Sequence, residues 1–205
     1  MKRTDKSINP HGDEFTIKKA LLECKSDDGM DYDKFYNTIN YVSPGIHMKK
    51  YFKYCISRIQ KNGLWLDVGC GSGNIIKKAI TDKNINLYGM DVVDKSVKNA
   101  ISNGINCIKN SATDKYPYES DKFDLVTCTD VLEHLHPAHV NTALEEIYRV
   151  LKEGGIALLA PATKNDKTGY FHLTIESKSW WVDMMESSGF KFVEYVGQDG
   201  ISLKK

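Results

Sequence analysis

The chain has no long apolar run, no surplus charge of either sign and no paired-cysteine motif, and each absence excludes a class of protein. No stretch approaches the roughly 20 consecutive apolar residues that a membrane-spanning helix needs. The opening Met1-Lys2-Arg3-Thr4-Asp5 lacks the apolar centre of a secretory leader, so a cytoplasmic protein with no membrane partner is expected. Lys and Arg number 28 against 27 Asp and Glu, a formal net charge of +1, so no global field draws the chain to nucleic acid. The five cysteines (Cys24, Cys55, Cys70, Cys107 and Cys128) form an odd set without a C-x-x-C pair. That favours reduced thiols over a disulfide framework or a zinc site. Internal repeats and low-complexity segments are also missing.

What is present suits one globular domain. The chain has 205 residues, 41% of them hydrophobic and 27% charged, enough to bury a sizeable core. Residues 1–30 are polar and mixed, with disorder expected in the first dozen and a short helix over Asp13–Cys24 striped by Ile17, Ala20, Leu21 and Cys24. A single domain is expected over 31–205. Its first part, 31–62, forms a helical lid: a short aromatic-rich helix over Asp31–Tyr41, a break at Ser43-Pro44-Gly45, and a second helix over Ile46–Ile59. Beyond it, apolar β-prone runs alternate with helical periodicity. Strands are expected at Leu64–Val68, Ile85–Met90, Ile105–Ile108, Phe123–Cys128 and Ile156–Ala160. Between them lie helices over Ile75–Ile80, Asp94–Ser102 (Asp94 as N-cap) and from Pro137 to about Leu151. A last helix spans Glu176–Ser188, and a hairpin of Phe190–Val196 and Ile201–Leu203 ends the chain. The alternation implies an α/β, doubly wound, mostly parallel seven-stranded sheet with helices on both faces and an antiparallel C-terminal hairpin.

One stretch carries chemistry: Leu66-Asp67-Val68-Gly69-Cys70-Gly71-Ser72-Gly73-Asn74. A strand stops at an acid and runs into a loop of alternating glycines that opens the next helix. Glycine tolerates positive φ and leaves no Cβ between backbone and ligand. The spacing is G-x-G-x-G, not the G-x-G-x-x-G of a dinucleotide cradle. Asp67 directly before the loop disfavours an anionic pyrophosphate and favours a cationic ligand. In such sheets ligands lie beyond the carboxyl ends of the strands, where Asp67, Asp91, Thr129, Asp130 and Pro161 all fall.

The stretch D-V-G-C-G-S-G resembles motif I of the class I S-adenosylmethionine (SAM) methyltransferases. Four further blocks follow in the family's order: Tyr88-Gly89-Met90-Asp91, Ser111–Tyr118, Phe123–Leu135 and Arg149-Val150-Leu151-Lys152-Glu153-Gly154-Gly155. The resemblance implies that Gly69, Gly71 and Gly73 wrap the methionine part of SAM, with Asp67 near its positive charges. It implies that Asp91, flanked by Val92, accepts the ribose hydroxyls, as suits an acceptor-only carboxylate. Thr129 and Asp130 are then expected on the methyl-transfer face. Where family members often place an adenine-binding Asp, this chain has Ala112, so Thr113 and Asp114 or backbone carbonyls are expected to take that contact.

The acceptor side is less determined. Tyr32, Tyr36 and Tyr41 in the lid and Tyr170 in the loop 163–174 are expected to line it, since tyrosine offers a flat apolar face with a polar tip; core packing is the alternative. Acid–base candidates are Asp130, His134 and His172, imidazole being suited to proton transfer near neutral pH. Set against this, Glu-His-Leu recurs in the family as a packing element and His172 suits a surface cap, while His11, His47 and His139 read as solvated or structural. Asp130, Glu133, His134 and His172 resemble the ligand cluster of metal-dependent small-RNA 3′-end methyltransferases. D-x-x-E-H-L also occurs in metal-free relatives, so no metal is assigned.

The expected activity is methyl transfer to oxygen or nitrogen of a small molecule: a sugar, nucleotide sugar or phosphorylated amine. The C-terminal part resembles methyltransferases of bacterial glycan and surface-polysaccharide biosynthesis. The product is S-adenosylhomocysteine, and a monomer or homodimer is expected. Alternatives are a metal-assisted RNA 3′-end methyltransferase, an NAD-linked oxidoreductase and a non-catalytic SAM-binding partner subunit.

Overall fold

The computed structural model describes residues 46–164 and 172–205 and, ahead of them, 19–20, 23–26, 29–38 and 43. Seven strands form the main sheet: β1 Leu64–Val68, β2 Asn86–Asp91, β3 Asn106–Lys109, β4 Phe123–Thr129, β5 Leu151–Ala160, β6 Lys191–Val196 and β7 Gly200–Lys204. Their order across the sheet is β3-β2-β1-β4-β5-β7-β6. The first five are mutually parallel, while β7 runs antiparallel to both β5 and β6. The doubly wound sheet with an antiparallel end is therefore present as expected.

Apolar side chains leave β1, β4 and β5 in alternation, so both faces of the sheet are dry. One face buries Leu66, Val68, Val126 and Leu159 against Val140, Leu144 and Ile147 of α5 (Pro137–Val150) and Trp181 and Met185 of α6 (Lys178–Ser187). The other buries Trp65, Leu125 and Leu158 with Cys55 of α2 (Phe52–Arg58), Ala79 of α3 (Lys78–Lys83) and Val97 and Ala100 of α4 (Asp94–Ser102). Both long helices start on side-chain caps. His136 Nδ1 accepts from Ala138 N with Pro137 at the first turn, and Ser177 Oγ accepts from Trp180 N.

Several boundaries differ from the sequence reading. The helix expected over Ile46–Ile59 splits into a 3-10 turn, Ile46–Lys50, and α2. Tyr51 N donates to Met48 O at 3.0 Å. This tighter winding puts Met48 and Tyr51, three residues apart, on one buried side. The helix expected from Ile75 begins at Lys78, because turns held by Lys78 N→Ile75 O and Ala79 N→Ile76 O come first. β5 starts at Leu151, directly after α5, with a bulge between the pairs Phe123–Leu151 and Leu125–Ile156. Asp94 is not the cap of α4; Val93 is, and Asp94 pairs with Lys109 at 3.1 Å from the first turn. Within the expected helix Asp13–Cys24, residues 19–20 and 23–24 are helical, while Ile17 and Leu21 lie outside the described residues. So do the first dozen residues. All five cysteines are free and buried. None of the described helices is long and apolar enough to cross a membrane.

Two tethers hold flanking elements onto the sheet. Tyr54 of α2 donates from Oη to Ser202 Oγ at 2.7 Å, fixing the N-terminal helical layer onto β7. Arg149 makes a forked contact with Glu146 (2.7 Å to each oxygen) and reaches the carbonyls of Tyr116 and Tyr118. The crossing from β3 to β4 is thereby clamped to α5, a partly buried pairing of the strong bidentate kind.

Candidate active site

The sheet order reverses between β1 and β4, and the loops after these two strands part to form a crevice at their carboxyl ends. A cavity of about 380 Å³ lies there, lined by Asp67, Gly69, Asp91, Val92, Ala112, Thr129, Asp130, His134 and His172 together with Tyr36 of α1 (Tyr32–Thr38). This volume falls in the range of small-molecule sites.

The glycine loop is fixed at its start and its middle. Gly69 N and Cys70 N both donate to Met90 O, at 2.8 and 3.1 Å. Asp91 holds the middle: Oδ2 accepts from Gly71 N and Oδ1 from Val93 N, each at 2.9 Å. One carboxylate at the end of β2 thus pins the loops after β1 and β2 against each other. Gly71 has φ +54°, and a Cβ on it would stand 2.5 Å from Ser43 O, which accepts from Ser72 N at 2.9 Å. Glycine is demanded here by Ser43 lying against the loop as well as by backbone conformation. Gly71→Ala is expected to cost about 1–3 kcal/mol, a fall in Tm of several degrees in a thermal melt; an unchanged Tm would show that Ser43 yields freely.

Asp67 is almost fully buried beneath the loop. Trp65 Nε1 donates to Thr127 Oγ1 at 2.8 Å, and that hydroxyl donates to Asp67 Oδ1 at 2.5 Å. Burial nonetheless pushes the Asp67 carboxyl up to about 7, with the Thr127 bond opposing and the Asp91 charge adding to the rise. An acid in that state gains from a cation placed beside it.

On the far side of the crevice, Asp130 follows β4 at φ +60°, a conformation seldom adopted outside glycine. Its Oδ2 stands 3.2 Å from His47 Nε2, and His47 also lines the cavity. The 3-10 turn Leu132–His134 comes next. Its residue Glu133 accepts at the backbone carbonyl from Leu173 N (2.8 Å) and Thr174 N (3.0 Å) and at Oε1 from Ala162 N (2.9 Å). These bonds carry His172 to His134, with ring centres 4.9 Å apart. The Glu133 carboxyl is pushed well above the usual range by burial and, next, by the neighbouring Asp130 carboxylate.

The structure gathers most residues singled out in the sequence. Gly71 and Gly73 support the loop from behind; a Cβ on Gly73 would meet Ile105 Cδ1. Thr113 and Asp114 stand outside the cavity lining, where Asn110 and Ser111 take part instead. Thr113 Oγ1 pairs with Ser111 Oγ at 2.9 Å. Tyr41 and Tyr170 lie outside the described residues, as does the Tyr32 side chain. His47 and Ser43 were missed as lining residues. His47 sits in a Lys-rich helical stretch whose text is that of a solvated face, and only the fold turns it towards Asp130.

Comparison with known proteins finds similarity to methyltransferases. A family profile described as "Methyltransferase domain" matches residues 66–159, the span from β1 to the end of β5. The ubiquinone biosynthesis O-methyltransferase of Leptothrix cholodnii is 26% identical over 139 residues, covering 64% of this chain and 57% of that protein. Residues 66–159 are thus similar to a methyltransferase domain. An enzyme of the same description from Shewanella pealeana is 32% identical over 107 residues, covering 49% of this chain and 44% of that one. The chain therefore spans about half the length of the curated relatives it matches. Haemonchus contortus phosphoethanolamine N-methyltransferase 2, solved in complex with SAM, superposes with a TM-score of 0.61 at 16% identity, covering 78% of this chain and 44% of that one. That similarity concerns the fold alone. SAM, bound in that solved structure, suits the residues present here. Gly69 and Asp91 line the cavity, a Cβ on Gly69 would clash with Val131 Cγ2, and Asp67 supplies a buried acid for a cationic ligand.

Proposed function

We propose that the protein methylates a hydroxyl oxygen of a small molecule with SAM as donor. The observation that carries this reading is that one cavity joins the Asp91–Gly69 side to a second side bearing His47, Asp130, His134 and His172. Bound there, SAM supplies a methyl group on a sulfonium centre, given up by in-line displacement with release of S-adenosylhomocysteine. Gly69, Asp91, Val92, Asn110 and Ser111 hold the donor, and Asp67 faces its positive end. Thr129 and Asp130 border the transfer face. Asp130 holds His47 at Nε2 and leaves Nδ1 to take the proton of the acceptor hydroxyl, the pairing of base and orienting group that proton transfer requires. Tyr36 and Ser43 border the site from the N-terminal side.

The relatives named for ubiquinone O-methylation support oxygen as the acceptor atom. A near-neutral chain supports a small acceptor over a polyanion. A phenolic ring and a sugar, nucleotide sugar or glycan precursor share the relevant chemistry, a hydroxyl whose oxygen attacks once its proton is removed. Release of S-adenosylhomocysteine from a panel of phenols, nucleotide sugars and phosphorylated amines separates these classes. Turnover is expected with one of the hydroxyl classes, and turnover of amines alone would overturn the reading. His47→Ala is expected to lower kcat by about 10²-fold, the scale of general-base catalysis, with SAM affinity kept. Unchanged kcat would remove His47 from the reaction.

A further inference from the structure

Two sulfurs meet beneath the glycine loop. Cys70 stands between Gly69 and Gly71, and its amide donates to Met90 O at 3.1 Å, which lays the residue over the end of β2. Cys107 belongs to β3 and is in register with Gly89 of β2. The two side chains reach across Gly89 from either side, with Sγ to Sγ at 3.6 Å. Gly89 makes that meeting possible, since a Cβ there would stand 2.7 Å from Cys70 Sγ. Both residues are thiols in this structure.

The two sulfurs are unequal. Cys107 keeps 7% of its surface exposed against 1% for Cys70, so a small oxidant reaches Cys107 first. The Cys70 thiol is pushed well above the usual range, by its bond to Cys107 and then by burial. It therefore stays protonated and faces the Cys107 sulfur. The distance to close is short: a disulfide brings its sulfurs to about 2.05 Å, roughly 1.5 Å nearer than they stand here. Cys107 is held in a strand whose four residues all pair with β2. Cys70 sits in a loop, so most of the movement falls on the loop.

We propose that Cys70 and Cys107 form a reversible disulfide under peroxide, and that this bond loosens the hold of the glycine loop on its ligand. The Cys107 sulfur attacks one peroxide oxygen, the O–O bond breaks, and the thiol becomes a sulfenic acid with release of water. The Cys70 sulfur then attacks that sulfur. The S–S bond forms, the S–O bond breaks, and the hydroxide leaves with the Cys70 proton as a second water. Together the two sulfurs lose two electrons and the peroxide gains two. Drawing Cys70 towards β3 pulls on both its neighbours: Gly69 lines the cavity, and Gly71 N donates to Asp91 Oδ2 at 2.9 Å. Both belong to the proposed donor side. The disulfide rests on the sulfur geometry alone, while its effect on SAM rests on the proposed function.

Hydrogen peroxide treatment of the purified full chain, then alkylation in denaturant and peptide mass spectrometry, reads the bond without any SAM. A peptide cross-linked through Cys70 and Cys107 is expected, lost again after dithiothreitol. Both thiols still open to alkylation, or oxidised further with no cross-link, overturns the proposal. SAM affinity, measured by calorimetry, is expected to fall at least about tenfold in the oxidised chain and to recover on reduction. By linkage, saturating SAM then raises the reduction potential of the pair by at least about 30 mV, the same tenfold expressed for a two-electron couple. Cys107→Ser, with its fold checked by thermal melting, is expected to keep SAM affinity with and without peroxide, and Cys107→Ala serves if serine unsettles the core. A peroxide-induced fall that persists in these variants overturns the control, as does a cross-linked chain with native SAM affinity. A reduced chain that binds no SAM refutes the donor reading, and with it control of SAM binding, but not the cross-link.

Discussion

Replacing Asp91 by Ala is expected to weaken SAM binding by about 1.5–3 kcal/mol, roughly tenfold to a hundredfold, the scale of hydrogen bonds to a charged group. The loss has two sources. The carboxylate is the acceptor suited to a ribose diol, and it also ties down the backbone around that diol. Gly71 N and Val93 N both end on its oxygens, so the alanine variant frees two amide groups as well as removing the ligand contact. Asp91→Asn tests the second source. An amide keeps one acceptor oxygen but turns an NH₂ towards the other backbone N–H, so it cannot hold both loops. Its affinity is expected to fall nearly as far as that of the alanine variant. Calorimetric titration with SAM measures both. A folded Asp91→Ala variant with native SAM affinity would remove Asp91 from the cofactor site.

Asp67→Asn is expected to move stability and affinity in opposite directions. The carboxyl rises from an ordinary 3.8 to about 7 in the folded state, chiefly through burial. The folded protein therefore holds more protons than the unfolded chain between about pH 4 and pH 7, and stability falls as pH rises through that window. Above pH 7 the whole cost is present, on the order of 4 kcal/mol as an upper bound. The asparagine keeps an oxygen for Thr127 and carries no charge. Its Tm at pH 8 is expected to exceed the native value by a few degrees, at about 2–4 °C per kcal/mol for a chain of this size. SAM affinity is expected to fall by at least about tenfold, because the acid facing the cation is gone. The native protein should lose SAM affinity as pH falls from 7 to 5.5, approaching one order of magnitude per pH unit, while the variant should not. A variant less stable than the native protein at pH 8 would show that the Asp67 charge is not a liability. Trading stability for ligand binding is common at functional sites.

How much of this was legible in the sequence depends on the range over which each signal acts. β1, β2, β4 and α5 were visible because burial on both sheet faces writes continuous apolar runs, and amphipathic packing writes a 3.6-residue period. The Arg149–Gly155 block was legible as a motif. Its physical reason, Arg149 clamping Glu146 and the carbonyls of 116 and 118, was not. The helix after the glycine loop was misplaced by three residues, because i→i+3 turns and α-helix leave the same apolar pattern over so few positions. The same ambiguity hid the 3-10 turn at Ile46–Lys50. Position relative to a motif points to Thr113 and Asp114, but the loop after β3 turns Asn110 and Ser111 to the cavity instead.

The sequence by itself determined the mostly parallel run of strands, the glycine loop with its two acids, and through them the proposed donor. These are local features, set by residue type and spacing along a few turns of chain. Only the tertiary structure decided what faces the donor. It sets His47 against Asp130 across the crevice, buries the Glu133 carboxyl beside Asp130, and carries His172 to His134 through bonds to the Glu133 carbonyl. Those meetings depend on how loops from separate crossovers pack at one edge of the sheet, and no periodicity within a single segment records them.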